Sequence, residues 1–222
     1  MSNDYNQQVI NAFHQFYYLL SIQAGDTKRI FQEQGIPFRD EAHSVHYSRG
    51  VLRNAASQIT ERTAKKAAIR GSFGSLLGPY TSAIEHILFL LQTIRLAQRI
   101  ALIYGEDFTT EQGKIKLSKA ISKAYGIEIP KNMKWNTSTS DVLTVLGKGQ
   151  QAILYLILQQ LKKQQRKQLK KMIPGIGLVF GAKDNYHEII RLGKRLSIYY
   201  SKSIIEDFYE SEIIEATLVN LR

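Results

Sequence analysis

The sequence predicts an all-α protein. Apolar residues recur at three- and four-residue steps over most of the chain, while alternation with a period of two is scarce. Glycine and proline cluster between the periodic stretches, and 44% of the 222 residues are hydrophobic, which is enough for a continuous core. We therefore expect one domain over 1–222: a helical bundle built from two related, glycine-spaced helical hairpins with flanking amphipathic helices.

The first part of the chain predicts flanking helices. Residues 5–24 form one amphipathic stripe, and we expect Gly25-Asp26 to end that helix and a short helix to follow. Gly35-Ile36-Pro37 predicts a break, because the residue before a proline avoids helical angles. The stretch 39–70 then favours a long helix, with Gly50 as an interruption.

The next two helices have clear start and stop signals. Pro79 suits the first turn of a helix, and Gly105 predicts its end. Thr109-Thr110-Glu111-Gln112 resembles a capping box that opens another helix, which Gly126 ends. The region between these signals, 79–125, is therefore predicted to be a pair of helices.

A polar stretch at 127–140 contains Pro130, two asparagines and a Thr-Ser run, and it predicts a loop and the one internal boundary. Ser140 or Asp141 is expected to cap a helix that continues into a strongly basic segment. Pro174-Gly175 ends that helix. A helix over 177–200 and a separate acidic helix over 204–221 complete the predicted bundle.

Two glycine pairs suggest an internal repeat in the chain. Gly74 and Gly78 are four residues apart, as are Gly177 and Gly181, so each pair lies on one helix face and lets helices approach closely. In both halves a glutamate follows seven residues after the second glycine, Glu85 in one and Glu188 in the other. Two related hairpins around a pseudo-twofold axis explain this spacing; coincidence among common residue types is the alternative.

These segments resemble the EcsC family. Gly71–Asp107, which closes with Ile-Ala-Leu-Ile-Tyr-Gly-Glu-Asp, is similar to the first half of such proteins, and Lys171–Gly181 with Tyr199-Tyr200 to the second. The resemblance spans about residues 60–203, and a related pattern occurs in hairpin domains of some membrane-associated GTPases. It implies an α-helical domain associated with membranes or membrane transport operons, without an established catalytic reaction.

Charge is the strongest functional signal. The formal net charge is +11, and five of the 19 acidic residues lie after residue 203, so the rest of the chain is more basic still. Such a chain attracts anionic lipid or nucleic acid. The basic cluster, as we call it, occupies adjacent faces of one helix and comprises Lys162, Lys163, Arg166, Lys167, Lys170 and Lys171.

We favour a non-enzymatic module that contacts an anionic membrane surface or a membrane-protein partner through this basic cluster. A solvated helix face is the plain alternative, and non-specific binding of nucleic acid is another. Homo-oligomerisation stays open. The first eight residues lack the pattern of a secretory signal, and no apolar stretch is long enough to span a bilayer, so we expect a cytoplasmic protein, peripheral to the inner membrane face if it meets one.

Enzyme classes are restricted by what the sequence lacks. With no cysteine there is neither a thiolate metal site nor a cysteine nucleophile, and the motifs of serine hydrolases and phosphate-binding loops are missing. No cofactor is strongly indicated. A metal-assisted hydrolase is the enzymatic alternative, with Glu85, His86, His187 and Glu188 converging between the hairpins.

The sequence contains a second set of residues whose side chains could bind a metal ion. Asp40, His43 and His46 would share one face if this stretch were helical, and two nitrogens with a carboxylate are suitable ligands. An exposed polar face is the simpler interpretation of this set.

Overall fold

The structure, a computed structural model, describes residues 21–40, 47–74, 79–130, 148–168 and 177–219. Side chains are described over 21–40, 47–69, 88–130, 148–160 and 183–204. These ranges contain six helices and no strand, which confirms the predicted all-α class. The helices are α1 (Ala24–Glu33), α2 (Arg49–Gly74), α3 (Pro79–Ile103), α4 (Glu111–Tyr125), α5 (Lys148–Gln168) and α6 (Gly177–Val219).

Helix α6 packs against α2, α3 and α4, and α4 in turn packs against α5. The buried residues of α6 repeat at steps of three and four, which places one apolar stripe on the core: Ile189, Leu192, Leu196 and Tyr200. Helices α2 and α6 are antiparallel, since Thr60 meets Gly193 and Lys65 lies near Tyr186. The α2–α6 seam is therefore a major packing surface of the bundle.

Local signals place the helix ends well. Gly35, Gly105 and Gly126 have φ angles of +60°, +83° and +66°, the left-handed region that glycine adopts without strain. Thr110 is the N-cap of α4, and its hydroxyl accepts a hydrogen bond from the Gly113 backbone N–H at 3.0 Å. These stop and start signals are confirmed. Thr109 is not the cap, because its hydroxyl donates to the Asp107 carboxylate instead.

Two predicted boundaries near the beginning are wrong. Gly25-Asp26 does not end a helix but lies in the first turn of α1, where the acidic side chain of Asp26 is favourable beside the helix N-terminus. Residues 39–40 are not helical: the Arg39 backbone N–H donates to the Ile103 carbonyl at 2.9 Å, at the end of α3. Helix α2 begins only at Arg49, so Gly50 lies in its first turn and interrupts nothing.

The predicted division of the last region into two helices is also wrong. Helix α6 runs unbroken from Gly177 to Val219. The change from basic to acidic composition suggested a boundary, but 200–204 contain neither glycine nor proline, and Ser201 and Ser203 are buried within the helix. A change of charge does not interrupt backbone hydrogen bonding.

Candidate functional site

The basic cluster lies partly in the described structure. Lys162, Lys163, Arg166 and Lys167 belong to the last turns of α5, while Lys170 and Lys171 lie outside the described residues. The earlier part of α5 is firmly in the core, with buried residues Ala152, Ile153, Leu154, Leu156 and Ile157. One helix thus carries both a buried anchor and most of the cluster.

The start of α5 is held by α4. The Gly149 backbone N–H donates to the Glu111 carboxylate at 2.9 Å, and a Cβ at Gly149 would lie 2.5 Å from the Lys114 Cβ. That approach is closer than any real Cβ contact, so only glycine fits this crossing without a shift of the helices. The position of α5, and with it the basic segment, depends on this contact.

Of the four glycines of the suggested internal repeat, three lie in the described helices. Gly74 is the last residue of α2, Gly177 the first of α6 and Gly181 lies in its second turn, while Gly78 falls outside the described residues. Their role in close packing stays a prediction. Like Gly149, Gly193 lies at a helix crossing, where a Cβ would be 2.3 Å from Thr60 Cγ2 and Oγ1. The sequence did offer one signal for this crossing, because Gly193 is a glycine inside a strongly helical pattern.

The paired glutamates and histidines are likewise only half described. Glu85 and His86 lie in α3, beyond the described side chains. His187 is exposed, with its ring edge against Tyr186 at 5.6 Å between centroids, and Glu188 is partly buried. Glu188 lies near Tyr125, whose pKa is raised by burial, with a smaller contribution from this carboxylate.

Convergence of these four residues therefore stays a prediction. Among the described side chains, no three histidines, aspartates or glutamates form a group that could hold a metal ion. Of the other proposed set, Asp40 accepts a hydrogen bond from Lys28 Nζ at 3.3 Å, while His43 and His46 lie outside the described residues.

A groove along the α2–α6 seam is a feature that sequence reasoning missed. It has a volume of about 570 Å³ and two layers of lining residues. Its floor is buried and made of small residues, Thr60, Gly193 and Ser197. Its rim is more exposed and consists of Arg53, Asn54 and Ser57 from α2 and Ile190, Lys194 and Ile198 from α6. We call this feature the seam groove.

A buried pair of tyrosines lies beneath one end of the seam groove. The Tyr104 and Ser197 hydroxyls share a hydrogen bond of 2.7 Å, and the Tyr104 ring stacks on Tyr200 with centroids 6.2 Å apart. Burial raises the pKa of both phenols, and the Ser197 bond offsets part of the shift at Tyr104. The Tyr200 hydroxyl is buried without a hydrogen-bond partner among the described residues. The floor is therefore backed by neutral phenols.

These phenols predict an alkaline loss of stability. Because the folded-state pKa of Tyr200 lies above the unfolded value of about 10, the unfolded chain loses its proton first as pH rises. The contribution of Tyr200 to the free energy of unfolding is fully present below pH ~10. Above that pH the contribution falls, by up to about 1.4 kcal/mol per pH unit. Urea unfolding of Tyr200→Phe should show a smaller alkaline loss than wild type, with unchanged or higher stability at pH 7.

Tyr104→Phe is the matched control, because it removes a phenol that has a partner. It should cost about 1–2 kcal/mol at pH 7, since the buried Ser197 hydroxyl loses its hydrogen bond. An equal alkaline loss of stability in wild type and Tyr200→Phe would contradict the attribution of this loss to the Tyr200 phenol.

The fold and the seam define a class of protein, an all-α helical bundle with a groove between two antiparallel helices. The chain belongs to the EcsC protein family, whose model matches residues 5–202. The match begins well before the glycine-rich segments that carry the resemblance, so α1 and α2 are part of the family domain. No curated protein and no solved structure gives a significant match to the chain.

Within the described residues, no helix is both long enough and apolar enough to cross a membrane.

Proposed function

We propose that this protein is a non-enzymatic module that associates with an anionic membrane surface, or with a membrane-protein partner there, through the basic cluster. The observation that carries the proposal is the continuity of α5, which runs from a buried half into a segment bearing Lys162, Lys163, Arg166 and Lys167. The anchored half would hold the cationic half in a fixed position on the domain.

Electrostatics supports this function. Each lysine or arginine near an anionic bilayer surface contributes about 1 kcal/mol of attraction, so several on one helix hold a domain at the surface. The net charge of +11 adds long-range attraction. Attachment of this kind weakens as salt rises, because dissolved ions screen exposed charges within about 10 Å at 0.1 M.

Vesicle flotation tests the proposal. The protein should float with vesicles of phosphatidylcholine and phosphatidylserine and remain unbound with phosphatidylcholine alone, and binding should decline with added salt. Replacing Lys162, Lys163, Arg166 and Lys167 with glutamine should remove most of the binding. Equal recovery with both vesicles, insensitive to salt, would contradict the proposal.

A second quadruple variant controls for net charge alone. Lys66, Lys119, Lys183 and Lys202 are exposed on α2, α4 and α6, and their replacement by glutamine removes the same four charges. This variant should retain most of its flotation. If both variants lose binding equally, general charge and not the basic cluster attracts the protein. A shift of arbitrary DNA at the same protein concentration and salt would favour the nucleic-acid alternative.

A further inference from the structure

The seam groove differs from the basic cluster in location and in chemistry. Its dimensions suit a small molecule, since ligand pockets usually have volumes of about 300–1,000 Å³, and the groove has about 570 Å³. Small residues on the floor keep it open: Thr60 and Gly193 come so close that α2 and α6 nearly touch, and Ser197 continues the floor one turn along α6.

The rim carries positive charge from both helices. Arg53 lies on the α2 side and Lys194 on the α6 side, both are exposed, and neither forms an ion pair with any side chain that the structure describes. None of the described residues that line the groove is acidic. Two cations on opposite rims, without an ion-pair partner among the described carboxylates, favour an anionic group between them.

Neutral donors line the α2 rim as well. Asn54 and Ser57 lie on the same rim as Arg53, so an amide and a hydroxyl line the groove together with the guanidinium. Arginine binds phosphate through two parallel N–H groups, and lysine adds a mobile point charge. This combination is typical of sites for a phosphate group.

The rest of the rim is aliphatic. Ile190 and Ile198 lie one turn before and one turn after Lys194 on α6, and Ile198 is 51% exposed. Among its lining residues in the described part of the chain there is no aromatic side chain on which a nucleotide base would stack. Aliphatic walls next to paired cations suit a hydrocarbon chain joined to an anionic head.

We propose that the seam groove binds a single amphiphile with a phosphate head group, held between Arg53 and Lys194 while its aliphatic chain lies along Ile190 or Ile198. A bilayer contact at the basic cluster would attract many lipids without selecting one. The seam groove would instead hold one molecule outside the bilayer, as a ligand. The two interactions use different helices, so substitutions can remove the binding at one without affecting the other.

Calorimetric titration of the purified protein with decyl phosphate, below its micelle concentration, tests this inference. Decyl maltoside supplies the same chain with a neutral head, and inorganic phosphate supplies the head without the chain. We expect saturable one-to-one binding of decyl phosphate, and binding of either other probe at least about tenfold weaker. Comparable affinity for decyl maltoside, or for inorganic phosphate, would overturn the proposal.

Paired variants assign the site. Arg53→Gln with Lys194→Gln should weaken binding of decyl phosphate by about tenfold or more, because charge-assisted hydrogen bonds are lost. Arg49→Gln with Lys202→Gln removes two exposed cations from the same helices outside the groove and should leave the affinity unchanged. All four positions are exposed, so the variants should fold; circular dichroism checks this.

A third variant separates the seam groove from the basic cluster. The quadruple glutamine variant at Lys162, Lys163, Arg166 and Lys167 should bind decyl phosphate as the wild type does, whatever it does in vesicle flotation. Loss of decyl phosphate binding there, with retention in the Arg53/Lys194 variant, would assign the amphiphile to the basic cluster and overturn the seam groove as its site.

Discussion

Gly193→Ala should lower the free energy of unfolding by about 1–3 kcal/mol, the usual cost of adding atoms to a filled contact. The new Cβ would lie 2.3 Å from Thr60 Cγ2 and Oγ1 and 2.8 Å from Thr60 Cβ. The methyl and hydroxyl of Thr60 have little freedom to withdraw, because the side chain is buried and its hydroxyl donates to the Ala56 carbonyl at 2.7 Å. Helices α2 and α6 must therefore separate. Urea denaturation followed by circular dichroism measures the loss.

A double-mutant cycle tests whether Thr60 is the cause. Thr60→Gly removes the three atoms nearest to the new Cβ, at its own cost of about 1 kcal/mol for glycine within a helix. In that background Gly193→Ala should no longer destabilise, and the coupling between the two positions should exceed about 1 kcal/mol. An equal cost of Gly193→Ala in both backgrounds would show that the crossing is not the reason.

Gly25→Ala is the control for glycine replacement as such. Gly25 lies in the first turn of α1, and a Cβ there would have no atom within 4 Å. Alanine favours the helix over glycine by up to about 1 kcal/mol. The variant should consequently be as stable as the wild type or slightly more stable.

Gly149→Ala should destabilise the α4–α5 contact by about 3 kcal/mol, at the upper end for overpacking. Its Cβ would lie 2.5 Å from Lys114 Cβ and 2.8 Å from the backbone N of Ile115. Unlike a side chain, a backbone atom within a helix cannot move aside. The start of α5 must therefore shift, and that shift also strains the hydrogen bond from Gly149 N–H to Glu111.

Two measurements follow this change. Urea denaturation should show the lower stability, and amide exchange should be faster at the start of α5 than in α2. Gly50→Ala is the control, because its nearest atom would be Ser48 Oγ at an ordinary 3.9 Å. Wild-type stability and exchange in Gly149→Ala would contradict the close α4–α5 crossing.

Some features of this fold could be predicted from neighbouring residues. Gly35, Gly105 and Gly126 end elements because each adopts a positive φ angle, a property of the residue itself. Thr110 caps α4 through a hydroxyl that reaches the third residue onward. Charge suggested a helix boundary near residue 203 and was misleading, because composition can change along a continuous helix such as α6.

The candidate site could be predicted only in part. The basic cluster was evident because its cations follow one another within ten residues of the sequence. The seam groove was not, since Arg53 and Lys194 are 141 positions apart and each belongs to an ordinary amphipathic stretch. A polar position on one helix gives no indication of what faces it on another.

By itself, then, the sequence determined the all-α class, the EcsC family membership, the helix ends at Gly35, Gly105, Thr110 and Gly126 and the positive charge, because periodicity, capping and composition depend on residues close together in the chain. The tertiary structure alone decided that Gly193 meets Thr60, that Gly149 meets Lys114 and that Arg53 and Lys194, from two different helices, line one groove. The physical reason is that helix pairing depends on the fit between distant surfaces, and that fit appears only once the helices are packed.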